Sequence, residues 1–549
     1  MSAPATDAAY ALLSGLIARG VRDLVLSPGS RSQALALAAV HFAREGALRV
    51  HVRIDERVAG FTALGLARES GVPAAVLCTS GTAAANLLPA AMEAFHSGVP
   101  LLLLTADRPP ELRGVGANQA TIQPGLFGAF VRFEADAPVP GDGEWAQLAE
   151  PAVAAAMGAD GSGIRGPVHL NLPTRMPLSG PAPAVLAEPG EAPMPPTPEP
   201  VVLPRGPRTV VIAGADAGPA AEEIAHAGSW PLIAEVVSGA RYGRLVIHGY
   251  RALLGSEVLG DRIERAVVLG HPTLSREVEA LLSRRDVEVI AVRQGGEALN
   301  LNGQTRAVAA VAAEPGEADR VWLGAWLAAS VAEAVDLSED APDQAGLHST
   351  DSDARARAVR AELDAVRRPL DRALLADALW RASWPHDRLV FGASRLVRVA
   401  DQVLGGKKVP VHANRGLGGI DGTVATAIGV ALASQAGGAP GVTRVLLGDL
   451  ALLHDVGALL LPADEPAPRI QVVVGNDGGG TIFDGLEVAG SAAASDLDRA
   501  FYTPHSADFA ALAAAYGWEH HRVTTRSALD QLLVSPVTTP QLIEVPLPR

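Results

Sequence analysis

Short apolar runs alternate along the chain with Ala- and Leu-rich stretches of helical period. In the first third the apolar runs fall at 24–27, 48–54, 74–80 and 100–106. In the middle they fall at 209–214, 266–270 and 287–292, and in the last third at 388–394, 444–449 and 470–476. Strands that are apolar on both faces, with helices between them, predict parallel sheets covered on both sides. Two stretches interrupt the pattern. Residues 180–207 contain ten prolines, which exclude helix and central strand and predict an extended, semi-rigid linker. Residues 337–365 begin acidic and polar before a helical pattern resumes. The expectation is an α/β protein of three doubly wound parallel-sheet domains at 1–179, 208–336 and 366–549, with linkers at 180–207 and 337–365.

Composition supports that division and narrows the function. A chain of 549 residues exceeds what one core organises. Its 48% hydrophobic and 19% charged content belongs to a globular protein. The formal charge of 45 − 60 = −15 argues against non-specific nucleic-acid binding, which needs a basic surface. It leaves room for anionic small substrates, because local arginines set the field in a cleft. Cys78 is the single cysteine, so no intramolecular disulfide forms and a reducing compartment fits. The N-terminal segment lacks the basic region of a signal peptide, and no apolar run is long enough to span a bilayer. These features predict a cytoplasmic protein without stable membrane insertion and without a nucleic-acid partner.

In parallel sheets ligands bind at the carboxyl ends of strands. One predicted strand ends at Gly448-Asp449, and the next, VVVGNDGGG, ends at Asn476 and a run of glycines. The 27 positions between Asp449 and Asn476 accommodate one crossover helix, so a carboxylate and a side-chain amide come together as oxygen donors suited to Mg²⁺. Taken singly, each dipeptide is also an ordinary turn. The glycines let the backbone approach a diphosphate, and a carbonyl there supplies a further ligand. Glu56 stands at a strand-to-helix junction, where it serves either as a helix N-terminal acid or as a carboxyl group aimed at a ligand nitrogen. Ser30 and Arg31 open a helix after a strand, a ready anion site. Arg108, Gln119, Arg415, and the Ser394, Arg395 and Arg398 group also follow apolar strands. Several such arginines in two domains suggest a substrate with more than one carboxylate. The GADAG stretch at 214–218 lacks a full dinucleotide fingerprint and reads as a cofactor-free turn.

The pair GDL…GNDGG with an upstream DERVAGFTALGLAR resembles thiamine-diphosphate-dependent enzymes of the pyruvate-oxidase and acetolactate-synthase type. Within them SPGSRS, IDER, TSGTAAANLLPA, LTADRPPEL, GANQATIQPG and NRGLGGIDG resemble the SEPHCHC synthase family of menaquinone biosynthesis. The resemblance covers most of the first and third domains and is thin in the middle one.

The resemblance implies an aminopyrimidine-binding first domain, a Rossmann-like middle domain and a diphosphate-binding third domain, with thiamine diphosphate and Mg²⁺ or Mn²⁺ as cofactors. Glu56 matches the catalytic glutamate that hydrogen-bonds N1′ of the aminopyrimidine. Asp449, Asn476 and the carbonyl of Gly478 match the metal ligands. Ile420 matches the bulky residue under the bent cofactor, and Ser394, Gly416, Gly448 and Ile482 match other cofactor contacts. The implied substrates are 2-oxoglutarate, held by Ser394, Arg398 and Arg415, and isochorismate, held by Ser30, Arg31, Arg108 and Gln119. Arg276 is a weaker match from the middle domain. The choice of Arg398 over Arg395 follows the family's spacing alone. The family also implies a homodimer or homotetramer with active sites at subunit interfaces. The nearest alternative is another thiamine-diphosphate enzyme, a 2-oxoacid decarboxylase or an acetolactate-synthase-like protein. A non-catalytic module that kept the fold is the alternative of a different class.

Overall fold

The computed structural model describes residues 3–292, 295–338 and 341–549. The first domain is a six-stranded sheet of β1 (Asp23–Leu26), β2 (Arg49–Val52), β3 (Ala74–Cys78), β4 (Leu101–Asp107), β5 (Phe133–Asp136) and β6 (Val168–Pro173). Its order is β2-β1-β3-β4-β6-β5, with every pair parallel. The central strands β1, β3 and β4 are buried along their whole length, as expected for strands covered by helices on both faces.

The middle domain holds β7 (Val201–Leu203), β8 (Thr209–Ala213), β9 (Leu232–Ala234), β10 (Arg265–Leu269), β11 (Glu288–Val292), β12 (Arg306–Val308) and β13 (Val311–Ala313). Five of these form a parallel sheet in the order β12-β11-β10-β8-β9. The other two, β7 and β13, pair separately, so the end of the Pro-rich stretch is tied to this domain. Helices Gln344–Leu347 and Ser352–Val366 occupy much of the second expected linker.

The third domain comprises β14 (Arg388–Phe391), β15 (Val411–Ala413), β16 (Thr443–Gly448), β17 (Ile470–Asn476), β18 (Glu519–Arg522) and β19 (Gln541–Pro546). Its order is β15-β14-β16-β17-β19-β18, again parallel throughout. Counted from the start of each domain, the first and third sheets share the order 2-1-3-4-6-5.

These two domains pack face to face through helices Glu56–Ser70 and Thr423–Ser434. Glycines permit the approach: a Cβ on Gly65 would lie 2.0 Å from the Thr426 carbonyl oxygen, and one on Gly429 2.1 Å from that of Thr62. Phe61, Leu64, Val424 and Ile428 then share one apolar core that runs through both domains.

Candidate active site

In each outer sheet the strand order reverses between its first and third strands, where a crevice opens at the carboxyl ends. In the third domain those strands are β14 and β16. Beyond β14, Ser394 caps helix Arg395–Val403, its hydroxyl accepting the Leu396 N–H at 3.2 Å. At the end of β16, a Cβ on Gly448 would lie 3.6 Å from that of Ser394, so the two strand ends adjoin.

Asp449 follows Gly448 and is buried. Its Oδ1 accepts the Leu450 N–H at 2.6 Å and its Oδ2 the Gly479 N–H at 2.9 Å. Burial raises its carboxyl above the ordinary value, and Asp477 adds to this, while the two main-chain donors oppose it. His505 Nε2 lies 3.2 Å from Oδ2. On the neighbouring strand, Asn476 donates its Nδ2–H to Glu544 at 2.8 Å, and its Oδ1 accepts the Gly478 N–H at 3.2 Å. Asp449 and Asn476 thus meet around one turn. That turn requires glycine: Gly478 has φ 73°, and a Cβ on Gly479 would lie 2.3 Å from the Tyr502 carbonyl oxygen. Asp477 is drawn to Arg372 at 2.7 Å and to the Thr481 hydroxyl. Ile482 follows, half-buried, in the turn Thr481–Gly485.

The donor set of one carboxylate, one amide oxygen and glycine main chain fits a small divalent cation carrying a diphosphate. Among the described residues, no three His, Cys, Asp or Glu side chains converge as a metal centre.

The arginines sort by their partners. Arg395 is neutralised by Asp484 at 2.7 Å. Arg398 donates to the Ser394 carbonyl at 3.1 Å, and burial lowers its guanidinium, with Arg415 and Arg251 lowering it further. Arg398 therefore faces other cations and is the better placed of the two to receive an anion, a physical distinction that agrees with the family's spacing. Arg415 is buried and donates to the Thr273 hydroxyl and carbonyl at 2.9 Å each. It lines a 350 Å³ cavity with His96, His271 and Gly416. Glu93, which carried no sequence signal, accepts the main-chain N–H groups of Gly416 and Leu417 at 2.8 and 2.9 Å and so fixes this loop. Ile420 is 38% exposed, an apolar side chain at the loop surface. Arg276 opens a short helix, is exposed, and faces Glu487 at 3.8 Å.

In the first domain the reversal lies between β1 and β3. Ser30 is exposed there, while Arg31 is buried. The Arg31 main-chain N–H donates to the Thr79 hydroxyl at 3.3 Å, and its Nη1 to the Thr174 carbonyl at 3.1 Å. Arg108 donates to the Asn118 carbonyl at 3.0 and 2.6 Å. Gln119, in left-handed backbone at φ 57°, donates to the Ser80 carbonyl at 2.9 Å. Beneath this loop, buried Gln123 accepts the Gly81 N–H at 2.9 Å and donates to Asn171 at 2.9 Å. Thr79 and Ser80, just beyond β3, thus hold the Arg31 and Gln119 segments at adjacent positions, with Arg108 bonded to the residue before Gln119.

Glu56 is the first residue of helix Glu56–Ser70 and is half-buried near Cys78. Its neighbours are engaged within the chain. Asp55 caps the helix by accepting from Arg57 and Val58, and Arg57 donates to the His454 carbonyl at 2.8 Å. Among the described residues the Glu56 carboxylate has no hydrogen-bond or ion-pair partner, and adjacent Ile54 is 71% exposed.

The model for the thiamine pyrophosphate enzyme N-terminal TPP-binding domain matches residues 6–126, and that for the C-terminal TPP-binding domain matches 398–545. The chain is 56% identical over its whole length to the 2-succinyl-5-enolpyruvyl-6-hydroxy-3-cyclohexene-1-carboxylate synthase of Leifsonia xyli subsp. xyli, covering 97% of that protein. The chain belongs to this synthase family. The protein of the same name from Clavibacter michiganensis subsp. michiganensis is 51% identical over all of this chain and 97% of its own. The solved benzoylformate decarboxylase of Polynucleobacter necessarius shares the fold, with a TM-score of 0.66 at 16% identity, covering 100% of this chain and 99% of its own. For a member of the synthase family, the two matched regions make the outer domains thiamine-diphosphate-binding domains. The first contains Ser30, Arg31, Glu56, Arg108 and Gln119, and the second contains Arg398, Arg415, Asp449 and Asn476. Among the described residues, no helix is long and apolar enough to cross a membrane.

Proposed function

We propose that the chain catalyses the thiamine-diphosphate-dependent decarboxylation of 2-oxoglutarate and the conjugate addition of the remaining succinyl unit to isochorismate, giving 2-succinyl-5-enolpyruvyl-6-hydroxy-3-cyclohexene-1-carboxylate for menaquinone biosynthesis. Arg398 carries this reading: a half-buried guanidinium with a carbonyl as its side-chain partner, set among Arg415 and Arg251 at the reversal point of the third sheet. Such a cluster favours a ligand bearing a carboxylate beyond the one that is lost. Identity with the named synthases over the entire chain supports both substrates.

When bound, thiamine diphosphate supplies the electron sink for loss of CO₂. Asp449, Asn476 and the Gly478 carbonyl hold Mg²⁺, or Mn²⁺, against its diphosphate, and Ser394, Gly416, Gly448 and Ile482 line its seat. Ile420 presses an apolar surface against it. Glu56 hydrogen-bonds the aminopyrimidine N1′. Arg398, Arg415 and Ser394 orient the distal carboxylate of 2-oxoglutarate. Ser30, Arg31, Arg108 and Gln119 receive isochorismate, with Arg276 at the rim.

The catalytic unit is a homodimer or homotetramer in which Glu56 of one protomer and Asp449 of another share a cofactor. Two observations favour this: among the described residues Glu56 is unengaged between two engaged neighbours, and exposed apolar side chains (Ile54, Leu417 and Ile420) flank the site residues.

Comparing CO₂ release from 2-oxoglutarate and from pyruvate tests the assignment. Preference for 2-oxoglutarate, reduced in Arg398→Ala, is expected. Equal or greater turnover of pyruvate would favour an ordinary 2-oxoacid decarboxylase or acetolactate-synthase-like enzyme.

A further inference from the structure

The middle domain supplies at most the rim residue Arg276 to this site, yet its strand ends hold both arginine-bearing elements of the third domain. Beyond β9 the chain continues into Glu235 and Val236, and beyond β10 it reaches Thr273 and Leu274. Glu235 is fully buried. Its carboxylate accepts the Thr273 N–H at 3.0 Å and the Leu274 N–H at 2.7 Å, which fixes the backbone there. Thr273 in turn accepts the Nε–H of Arg415 on its hydroxyl and an Nη2–H on its carbonyl, both at 2.9 Å. Among the described residues the guanidinium makes no other hydrogen bond, so its remaining donors can serve a ligand. The same strand end reaches the other arginine's helix. Val236 donates its N–H to Asp401 at 2.8 Å, and Asp401 lies on helix Arg395–Val403 with Arg398. Arg241, Tyr250 and Arg251, all from the middle domain, bind the same carboxylate.

A buried carboxyl group is costly unless its hydrogen bonds are well made. Burial pushes Glu235 up to about 8, with Asp401 adding to the rise and the Leu274 and Thr273 N–H groups and Arg415 opposing it. An arginine side chain also loses considerable rotamer freedom on binding, and fixing it beforehand removes that cost from the binding step.

We infer that Glu235 and Thr273 are positioning residues for Arg415, through which the middle domain sets the affinity for the 2-oxoacid. This rests on the reading of Arg415 as a 2-oxoglutarate ligand. Thr273→Val removes the hydroxyl acceptor while keeping the side-chain shape and the carbonyl; Thr273→Ser keeps the hydroxyl. Steady-state kinetics with both substrates, together with thiamine diphosphate titration followed by tryptophan fluorescence, test the inference. Thr273→Val is expected to raise KM for 2-oxoglutarate about tenfold. Its kcat, its KM for isochorismate and its affinity for thiamine diphosphate should stay within about twofold. Thr273→Ser should match the parent, and Glu235→Leu, which leaves the Thr273 and Leu274 N–H groups without this acceptor, should follow Thr273→Val in direction. An unchanged KM for 2-oxoglutarate in Thr273→Val, or a parallel loss for both substrates, overturns the inference. Arg415→Ala separates the two levels: if it raises KM for 2-oxoglutarate and Thr273→Val does not, the positioning role alone fails. If Arg415→Ala leaves that KM unchanged, the reading beneath it fails as well.

Discussion

Arg372 grips the Asp477 carboxylate at 2.7 Å, so the acid next to Asn476 is paired with a cation of its own. Both side chains are largely buried. Removing one partner of such a pair strands the other charge. Arg372→Ala should destabilise the fold by about 3 kcal/mol in urea unfolding. Arg372→Ala with Asp477→Asn should recover most of that loss. Strictly additive losses would show that the two side chains are not coupled.

Glycines at the contact between the outer domains differ from glycines elsewhere. A Cβ on Gly65 meets the Thr426 carbonyl oxygen at 2.0 Å, whereas one on Gly324, inside helix Arg320–Ala332, meets nothing within 4 Å. Gly65→Ala should lower the melting temperature markedly, because backbone must move apart. Gly324→Ala should raise stability by about 0.5–1 kcal/mol through helix propensity. A mild effect at Gly65 would contradict the packing described.

Asp455 makes stability depend on pH. Its Oδ2 accepts the Ala425 N–H at 2.9 Å in the first turn of helix Thr423–Ser434. Burial pushes the carboxyl up to about 7, with the Ala425 N–H and Arg57 opposing the rise. In the unfolded chain an aspartate titrates near about 4. Between those values the native state holds a proton that the unfolded state has released, so this group's contribution falls as pH rises through the window. Asp455→Asn keeps an oxygen acceptor and removes the titration. The decline in melting temperature from about pH 5 to about pH 8 should be shallower in the variant. Parallel curves would show that Asp455 titrates as an ordinary acid.

Cross-protomer sharing of the cofactor predicts complementation. Glu56→Gln and Asp449→Ala should each be nearly inactive alone. Mixed and reassociated, they should regain activity, because a heterodimer contains one site with both native residues. Heterodimers demonstrated by mass spectrometry but inactive would place Glu56 and Asp449 in one site within a single chain.

Much of this architecture is legible in the sequence, and the failures have local causes. Strand β17 falls at 470–476 as its β-branched run predicts. β5 and β18 lie at sheet edges and carry polar residues, so they give no apolar signal. β9 and β15 have three residues each, too few for a period. β6 buries His169 and Asn171, which suggest a surface strand until Thr105, Asp107 and Gln123 are found to satisfy them. Asp449 and Asn476 are readable as a pair because both stand where adjacent apolar strands end. Arg395 and Arg398 are not separable locally, since Asp484, far along the chain, decides between them. The hold of Thr273 on Arg415 joins two domains 142 positions apart, beyond any spacing rule.

The most direct test incubates the protein with thiamine diphosphate, Mg²⁺, 2-oxoglutarate and isochorismate while following CO₂ and isochorismate absorbance together. One CO₂ should be released for each isochorismate consumed, with both signals lost in Asp449→Ala. CO₂ release that proceeds while isochorismate persists would contradict the acceptor assignment, and the absence of both signals from cofactor-loaded protein would contradict the proposed reaction.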